Sequence, residues 1–314
     1  MMILQASATI EREPGTSIMV IGAANGHAAG QQAIAAVNAR LVERLDWQDV
    51  GPSLSQHTAC SIIMVETEGT DDDILVGVLP RIDAFAAALD MPVVVALEHR
   101  SIDIVAATML SARAQLLCSP TLSDRVVALA IATEQRGAML VHDVVREGEA
   151  ARLHRLNEEV ARIADVLARL TRRSGDERPV THIVSDHPTP FKQEHRADVV
   201  IDAAEVRRAI RARRLRDQHF GSGFFEDPAW DILLDLFAAD LEGTQVSVSS
   251  LCIAASVAPT TALRWISKLT DSGLLERHPD PFDRRRAFME LSSGASRAMR
   301  DHVATLRRAG LPFG

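Results

Sequence analysis

The stretch from Val246 to Leu291 constrains the fold of this chain more than any other part of the sequence. Its pattern predicts two short helices, a glycine that ends the second helix, and two apolar strand segments joined by a loop rich in arginine. The first helix is expected over Ser249–Ala255 and the second over Thr260–Thr270. Pro259 suits the first position of the second helix, and Gly273 suits its end. The brief turn between them is typical of a helix-turn-helix.

The second helix has two chemically different faces. At about 100° per residue, its hydroxyls and cations fall on one side, opposite an apolar side that can enter a core. Arg and Lys side chains donate to guanine or to phosphate, and hydroxyls reach either. The polar face therefore predicts contact with double-stranded DNA, and the alternative is an amphipathic surface helix. The predicted DNA contacts in the two helices are Ser249, Thr260, Thr261, Arg264, Ser267 and Lys268.

The loop between the two predicted strands, HPDPFDRRRA, carries two prolines, which cannot continue either strand, and Arg284, Arg285 and Arg286. Arginines at a hairpin tip are placed to reach phosphates or the minor groove. The segment SGLLERHPDPFDRRRAFMELS resembles the winged-helix domain of the MarR family of bacterial transcription regulators. It has that family's glycine-ended helix, Asp-x-Arg wing and strand closing in Leu-Ser. The resemblance covers about residues 227–306 and implies a sequence-specific DNA-binding regulator.

The first 138 residues alternate apolar runs with helical patterns, which predicts a doubly wound parallel α/β sheet. A long helix is expected over Gln31–Leu45, between the first two strands. Four strands are expected at Ile18–Ile21, Ser61–Val65, Pro92–Leu97 and Gln115–Cys118, with a fifth, more weakly marked, at Val50–Leu54.

This half resembles a response-regulator receiver domain, through PVVVALEH and through AQLLCSP with its Pro120. Receivers hold Mg²⁺ with an acidic pair after the first strand, but Gly22 and Ala23 stand there. Glu66 replaces the phospho-accepting Asp, and Ser119 replaces the Lys. The resemblance therefore implies a receiver-like (pseudo-receiver) domain that works without phosphoryl transfer. Glu66 is expected to be a solvated side chain at a strand end, the alternative being a permanent charge that imitates a phosphoryl group.

The glycines of GAANGHAAG offer a rival interpretation. Gly22, Gly26 and Gly30 lie between a strand and a helix, where loops that bind phosphate occur. Their spacing is not G-x-G-x-x-G, so a nucleotide site is the weaker alternative. His27 in this loop is a possible ligand contact or simply a solvated side chain.

A heptad pattern follows the α/β half. It predicts a parallel two-stranded coiled coil over residues 139–173, then a linker over 174–200 and the winged-helix domain over 201–314. The alternative is a helix packed on its own α/β domain. A coiled coil would make the regulator a homodimer, which suits two DNA half-sites about one turn apart. The predicted dimerisation residues are Leu153, Leu156, Val160, Ile163, Leu167 and Leu170.

The net charge of −8 is unusual for a DNA-binding protein, but the acidic excess is local. Residues 1–140 hold 8 Lys plus Arg against 16 Asp plus Glu, whereas the remaining residues hold 26 of each. Cys60, Cys118 and Cys252 are scattered in apolar surroundings, which predicts buried reduced thiols and no metal site. With no signal segment or membrane-spanning run, a cytoplasmic protein is expected.

Together these patterns predict a DNA-binding transcription regulator with an N-terminal sensing or interaction domain. No nucleophile, base and orienting group occur together, so an enzyme is not expected, and neither is a cofactor. The expected partners are double-stranded DNA, a second copy of the chain, and a protein or small-molecule signal at the N-terminal domain, but no membrane. The alternative is a protein-interaction adaptor that uses a winged-helix fold without DNA.

Overall fold

A computed structural model of the chain describes residues 16–54, 60–109, 113–136, 201–221 and 223–313. The N-terminal half contains one sheet, whose strands are all parallel and lie in the order β2-β1-β3-β4-β5. This is the flavodoxin-like order of doubly wound sheets. The predicted parallel α/β sheet is confirmed. Its strands are β1 (Ser17–Gly22), β2 (Arg40–Leu45), β3 (Ile62–Glu66), β4 (Val93–Leu97) and β5 (Ala114–Cys118).

Helices cover both faces of this sheet. They are α1 (Ala24–Ala36), α2 (Val50–Ser53), α3 (Asp72–Ala88), α4 (Ile102–Met109) and α5 (residues 122–136). Side chains alternate between the two faces: Ile18 and Val20 pack with α1 and α5, whereas Met19 and Ile21 pack on the side of α3 and α4. Burial on both faces explains why the central strands are continuous apolar runs.

Two sequence predictions in this half are wrong. The helix expected over Gln31–Leu45 ends at Ala36, and the chain turns at Asn38, whose φ is +59°, into strand β2. Residues Val50–Leu54, expected to be a strand, instead contain helix α2. The physical reason is the position of β2 at the edge of the sheet, where polar side chains meet water. Its sequence RLVERL therefore lacks the continuous apolar run of a central strand and continues the helical spacing before it.

The C-terminal half contains two helices joined by a turn and followed by a hairpin, the element order of a winged helix-turn-helix. Ser247 caps α8 by accepting a hydrogen bond from the Ser250 N–H, and Gly273 ends the next helix with a φ of +71°. A small antiparallel sheet has the order β6-β8-β7. The elements are α6 (Ala203–Phe220), α7 (Pro228–Glu242), β6 (Val246–Ser247), α8 (Val248–Ala254), α9 (Pro259–Asp271), β7 (Leu275–Pro279), β8 (Ala287–Leu291) and α10 (Ser293–Arg308).

The described parts of both halves belong to one compact unit. One cluster of buried apolar side chains continues from Val105 and Met109 of α4 to Leu251 of α8 and Leu263 of α9. The predicted coiled coil over 139–173, the linker over 174–200 and the seam from Leu153 to Leu170 lie outside the described residues. Within the described ranges, no helix is long and apolar enough to cross a membrane.

Candidate nucleic-acid interface

Helix α9 has the two faces that its sequence predicts. Ala262, Leu263, Ile266 and Leu269 are buried in the core of the C-terminal half. Pro259 occupies the first turn, where its missing N–H costs no hydrogen bond. The opposite side carries the hydroxyls and cations predicted to contact DNA.

The polar face of α9 begins in contact with the α/β half. The Cys118 N–H donates to Thr260 Oγ1 at 2.9 Å, and the Thr260 hydroxyl donates to the Cys118 carbonyl oxygen at 3.4 Å. Because β5 is the last strand of the sheet in the described part of the chain, no described strand pairs with the outward-facing N–H and C=O of Cys118. Thr260 satisfies these groups, and α9 covers this end of the sheet edge.

Ser249, in the first turn of α8, is also held by the α/β half. Its N–H donates to Asp103 Oδ1 at 2.8 Å, and its hydroxyl donates to Asp103 Oδ2 at 2.6 Å. A carboxylate at a helix N-terminus meets backbone N–H groups that have no partner inside the helix. Asp103 of α4 therefore supplies α8 with a capping anion from the other half.

Two arginines extend the contact between the halves. Arg277 of β7 donates to the carbonyl oxygens of Ala106 and Ala107 at 2.8 and 3.1 Å, near the C-terminus of α4, where a cation is favoured. Burial lowers the pKa of Arg277 from its ordinary value. Arg285 forms an ion pair with Asp73 of α3. One of the three predicted wing arginines thus already forms an ion pair within the protein, in which both side chains stay exposed.

Thr261, Arg264, Ser267 and Lys268 line a cleft of about 570 Å³ whose other walls are β5 and α5. Arg264 and Lys268 stay exposed, while Thr261 and Ser267 are half-buried. A cleft of this volume holds a small molecule but not a DNA duplex. In the described conformation α9 is therefore docked on the α/β half and cannot enter a major groove. No local pattern in the sequence indicates this arrangement.

The wing between β7 and β8 presents its arginines at the surface. Arg284, Arg285 and Arg286 are all exposed, although Arg285 pairs with Asp73, and Phe282 beside them is 97% exposed. Asp280 orders the loop by accepting hydrogen bonds from the N–H groups of Phe282 and Asp283, at 2.9 and 3.3 Å. The tip is thus an ordered basic loop with one apolar ring.

Glu66 is not a solvated side chain at a strand end, so that prediction from the sequence is wrong. It is fully buried at the end of β3 and paired with Arg125 of α5, with Nε–Oε1 and Nη2–Oε2 distances of 2.8 and 2.9 Å. Burial raises the pKa of Glu66, while the hydrogen bonds from Arg125 oppose that rise. Arg125 also donates to the carbonyl oxygens of Pro120 and Thr121, so it ties Glu66 to the loop after β5.

Close contacts with Glu66 and Val20 explain the three glycines Gly22, Gly26 and Gly30. A Cβ atom at Gly22 would lie 2.8 Å from the Glu66 carbonyl oxygen, and one at Gly26 would lie 2.8 Å from Glu66 Cβ. At Gly30 it would lie 3.3 Å from Val20. Close packing of α1 on the sheet accounts for these glycines without a bound phosphate. His27 Nε2 lies 3.2 Å from the Leu45 carbonyl oxygen.

The remaining candidate ligands do not assemble a site. Cys60, Cys118 and Cys252 are buried thiols, and burial raises the pKa of Cys252 to about 12. In the part of the chain that the structure describes, no group of three His, Cys, Asp or Glu side chains could hold a metal ion.

No protein-family model matches the sequence, and no curated protein matches it. Solved structures similar to about a third of the chain include MepR from S. aureus in its DNA-binding conformation, with 14% identity and a TM-score of 0.24 over 33% of this chain and 72% of that one. A MarR mutant from E. coli has 19% identity and a TM-score of 0.23 over 34% and 76%. AbsC, a MarR family regulator from Streptomyces coelicolor, has 26% identity and a TM-score of 0.22 over 33% and 71%. The description of the C-terminal half rests on its own element order and not on these overlays.

Proposed function

We propose that this protein is a cytoplasmic, non-enzymatic transcription regulator that binds double-stranded DNA as a homodimer, and that the described conformation is its closed state. The observation that carries the proposal is α9. It buries one face in a helix-turn-helix core and gathers two cations and three hydroxyls on the other, beside a wing with exposed arginines. These side-chain types and this placement suit a major groove and its flanking phosphates.

The closed state follows from shared side chains. Ser249 and Thr260, both predicted DNA contacts, make hydrogen bonds to Asp103 and Cys118 of the α/β half. A hydroxyl engaged there cannot also contact DNA, so the α/β half and DNA compete for one surface. Linkage then requires that a signal favouring the docked arrangement weakens DNA binding.

The α/β half is proposed to act without phosphorylation, as a pseudo-receiver. Support comes from the buried pair of Glu66 and Arg125, which fills the end of β3 with a permanent ion pair. The proposed homodimer rests on the heptad spacing from Leu153 to Leu170. In the open state, two copies of α9 would read half-sites about one DNA turn apart, with Arg284 and Arg286 on phosphates.

The test compares DNA affinity in full-length variants on fragments selected from genomic DNA. Arg264→Ala should weaken binding by about 1 to 3 kcal/mol if Arg264 contacts a base. Arg297→Ala, which removes an exposed arginine of α10, is its matched control and should change little. Equal affinities for the two variants would remove Arg264 from the interface.

Asp103→Ala tests the closed state by removing both hydrogen bonds to Ser249. Loss of charge-assisted bonds of about 1.5 to 3 kcal/mol should favour the open state and raise DNA affinity about tenfold or more. Asp49→Ala, at an exposed carboxylate beside α2, controls for the change in net charge. A variant that binds DNA no better than wild type would show that docking does not limit binding.

One observation favours a second candidate, a protein-interaction adaptor. The surface predicted to read DNA already binds a protein surface, that of the α/β half. If neither wild type nor Asp103→Ala prefers any genomic fragment at low salt, and a stable protein complex is recovered instead, the adaptor is the better description.

A further inference from the structure

The cleft beside α9 has the size and chemistry of a ligand site. Its volume of about 570 Å³ is in the range that holds small organic molecules. On the α5 wall, Val127 and Ile131 are 56% and 38% exposed, although both are apolar and face the cleft. An apolar wall that is exposed in the cleft favours a ligand with an apolar body.

The edge of β5 adds hydrogen-bonding groups to the same cleft. Ser119 donates to Leu97 of β4, so the alternate residues Cys118 and Leu116 direct their N–H and C=O groups away from β4. Thr260 meets those of Cys118, but no described residue donates to or accepts from the backbone of Leu116 at this edge. Leu116 lines the cleft and is buried, so a ligand there would hydrogen-bond to backbone groups that have no partner among the described residues.

The α9 wall supplies positive charge. Arg264 and Lys268 line the cleft, and no carboxylate among the described residues pairs with either. Asp124 keeps a negative charge on the opposite wall, where the N–H and hydroxyl of Thr121 donate to it at 2.8 and 2.7 Å, so an anionic group is favoured on the α9 wall and not on α5. Asp271 lies at the far end of α9, exposed to water. The two cations therefore favour an anionic group.

We propose that this cleft binds an amphipathic organic anion, with its apolar body on Val127 and Ile131 and its anionic group on Arg264 and Lys268. As a deepening of the proposed function, this ligand is the signal that keeps α9 on the α/β half. Arg264 and Lys268 cannot hold the ligand and contact DNA at once. Ligand and DNA therefore exclude each other. The apparent DNA affinity falls by a factor equal to one plus the ratio of the ligand concentration to the Kd of the ligand.

The first experiment measures binding of a fluorescent probe to the full-length protein without DNA. The probe is 8-anilinonaphthalene-1-sulfonate, compared with N-phenyl-1-naphthylamine, which has the same rings without the sulfonate. The sulfonate dye should bind about tenfold more tightly, because a charge-assisted contact is added. Val127→Asp, which places a negative charge on the cleft wall, should weaken the sulfonate dye about tenfold or more.

Ala130→Asp is the matched control, since it adds the same charge to an exposed position of α5 outside the cleft. It should leave dye affinity unchanged, and circular dichroism should show both variants folded. Equal binding of the two dyes, or sulfonate-dye binding that Val127→Asp does not weaken, would overturn the proposed site.

The second experiment adds DNA. With the sulfonate dye at ten times its wild-type Kd, wild-type DNA affinity should fall about elevenfold, whereas that of Val127→Asp should fall about twofold or less. Unchanged wild-type DNA affinity would overturn the signalling role. If the sulfonate dye binds as predicted but no DNA fragment binds even without dye, the ligand site stands and the proposed DNA-binding function fails.

Discussion

The buried ion pair between Glu66 and Arg125 should be the most costly electrostatic contact in the α/β half to break. Glu66 is 0% exposed and Arg125 is 7% exposed, so neither charge is screened by water. Arg125→Met keeps most of the side-chain volume but leaves the Glu66 carboxylate buried without its two hydrogen bonds. Removing one partner of a buried pair typically costs about 3 to 5 kcal/mol of unfolding free energy. At about 2.1 cal/mol/K of unfolding entropy per residue, that lowers the melting temperature of a chain of 314 residues by roughly 5 to 8 °C.

The loss should depend on pH in a direction set by Glu66. Burial already raises its pKa, and Arg125 opposes that rise, so the variant should have a higher Glu66 pKa still. An acid whose folded-state pKa is raised destabilises the fold when it is ionised and does so less as it gains a proton. The deficit of Arg125→Met relative to wild type should therefore be largest at neutral pH. It should shrink as pH falls through the folded-state pKa of Glu66.

Thermal unfolding followed by circular dichroism at about pH 7.5 and about pH 5 measures both effects. Arg100→Met is the matched control, because Arg100 pairs with Glu98 at the surface, where ion pairs contribute little. The double variant Glu66→Leu, Arg125→Met should recover most of the loss, since it leaves no buried charge. If Arg125→Met has the same melting temperature as Arg100→Met and wild type at neutral pH, the reasoning from burial is refuted.

Three further outcomes are expected. Gly26→Ala should lower the unfolding free energy by about 1 to 3 kcal/mol, because its Cβ would meet Glu66 Cβ at 2.8 Å. Gly77→Ala, which has open space around it in α3, should raise the unfolding free energy by up to about 1 kcal/mol. A urea titration in which both substitutions change the unfolding free energy in the same direction would contradict this. Burial raises the pKa of Cys252 to about 12, so iodoacetamide at mildly alkaline pH should modify it only after unfolding, as mass spectrometry of the peptide would show. Arg286→Ala should weaken binding to all DNA sequences alike and reduce the salt slope by about 1, and a loss confined to one sequence would exclude a phosphate contact.

Local patterns in the sequence predict the elements well where one physical requirement dominates. The central strands are buried on both faces, so their apolar runs are unbroken, and α9 is amphipathic, so its spacing shows both faces. At the sheet edge two requirements compete, and RLVERL has the spacing of a helix although it forms β2. The polar face of α9 was predicted as a set, but its orientation toward β5 was not.

Contacts between distant residues account for what the sequence could not show. Glu66 looks like an ordinary strand-end acid until Arg125, 59 residues later, is seen beside it. Ser249 and Asp103 are separated by 146 residues, and neither lies in a motif that points to the other. Such pairings depend on how α4 and α8 meet, which no local periodicity specifies.

Through the hydrogen bonds between Thr260 and Cys118, helix α9 covers the β5 edge of the sheet. Any movement that releases α9 uncovers the backbone of β5 at the same moment. An uncovered parallel edge strand can accept a strand from another chain, so proteins usually shield such edges. Releasing α9 therefore also creates a strand-pairing surface, and the undocked form must have that edge hydrated or occupied by a new β-strand neighbour.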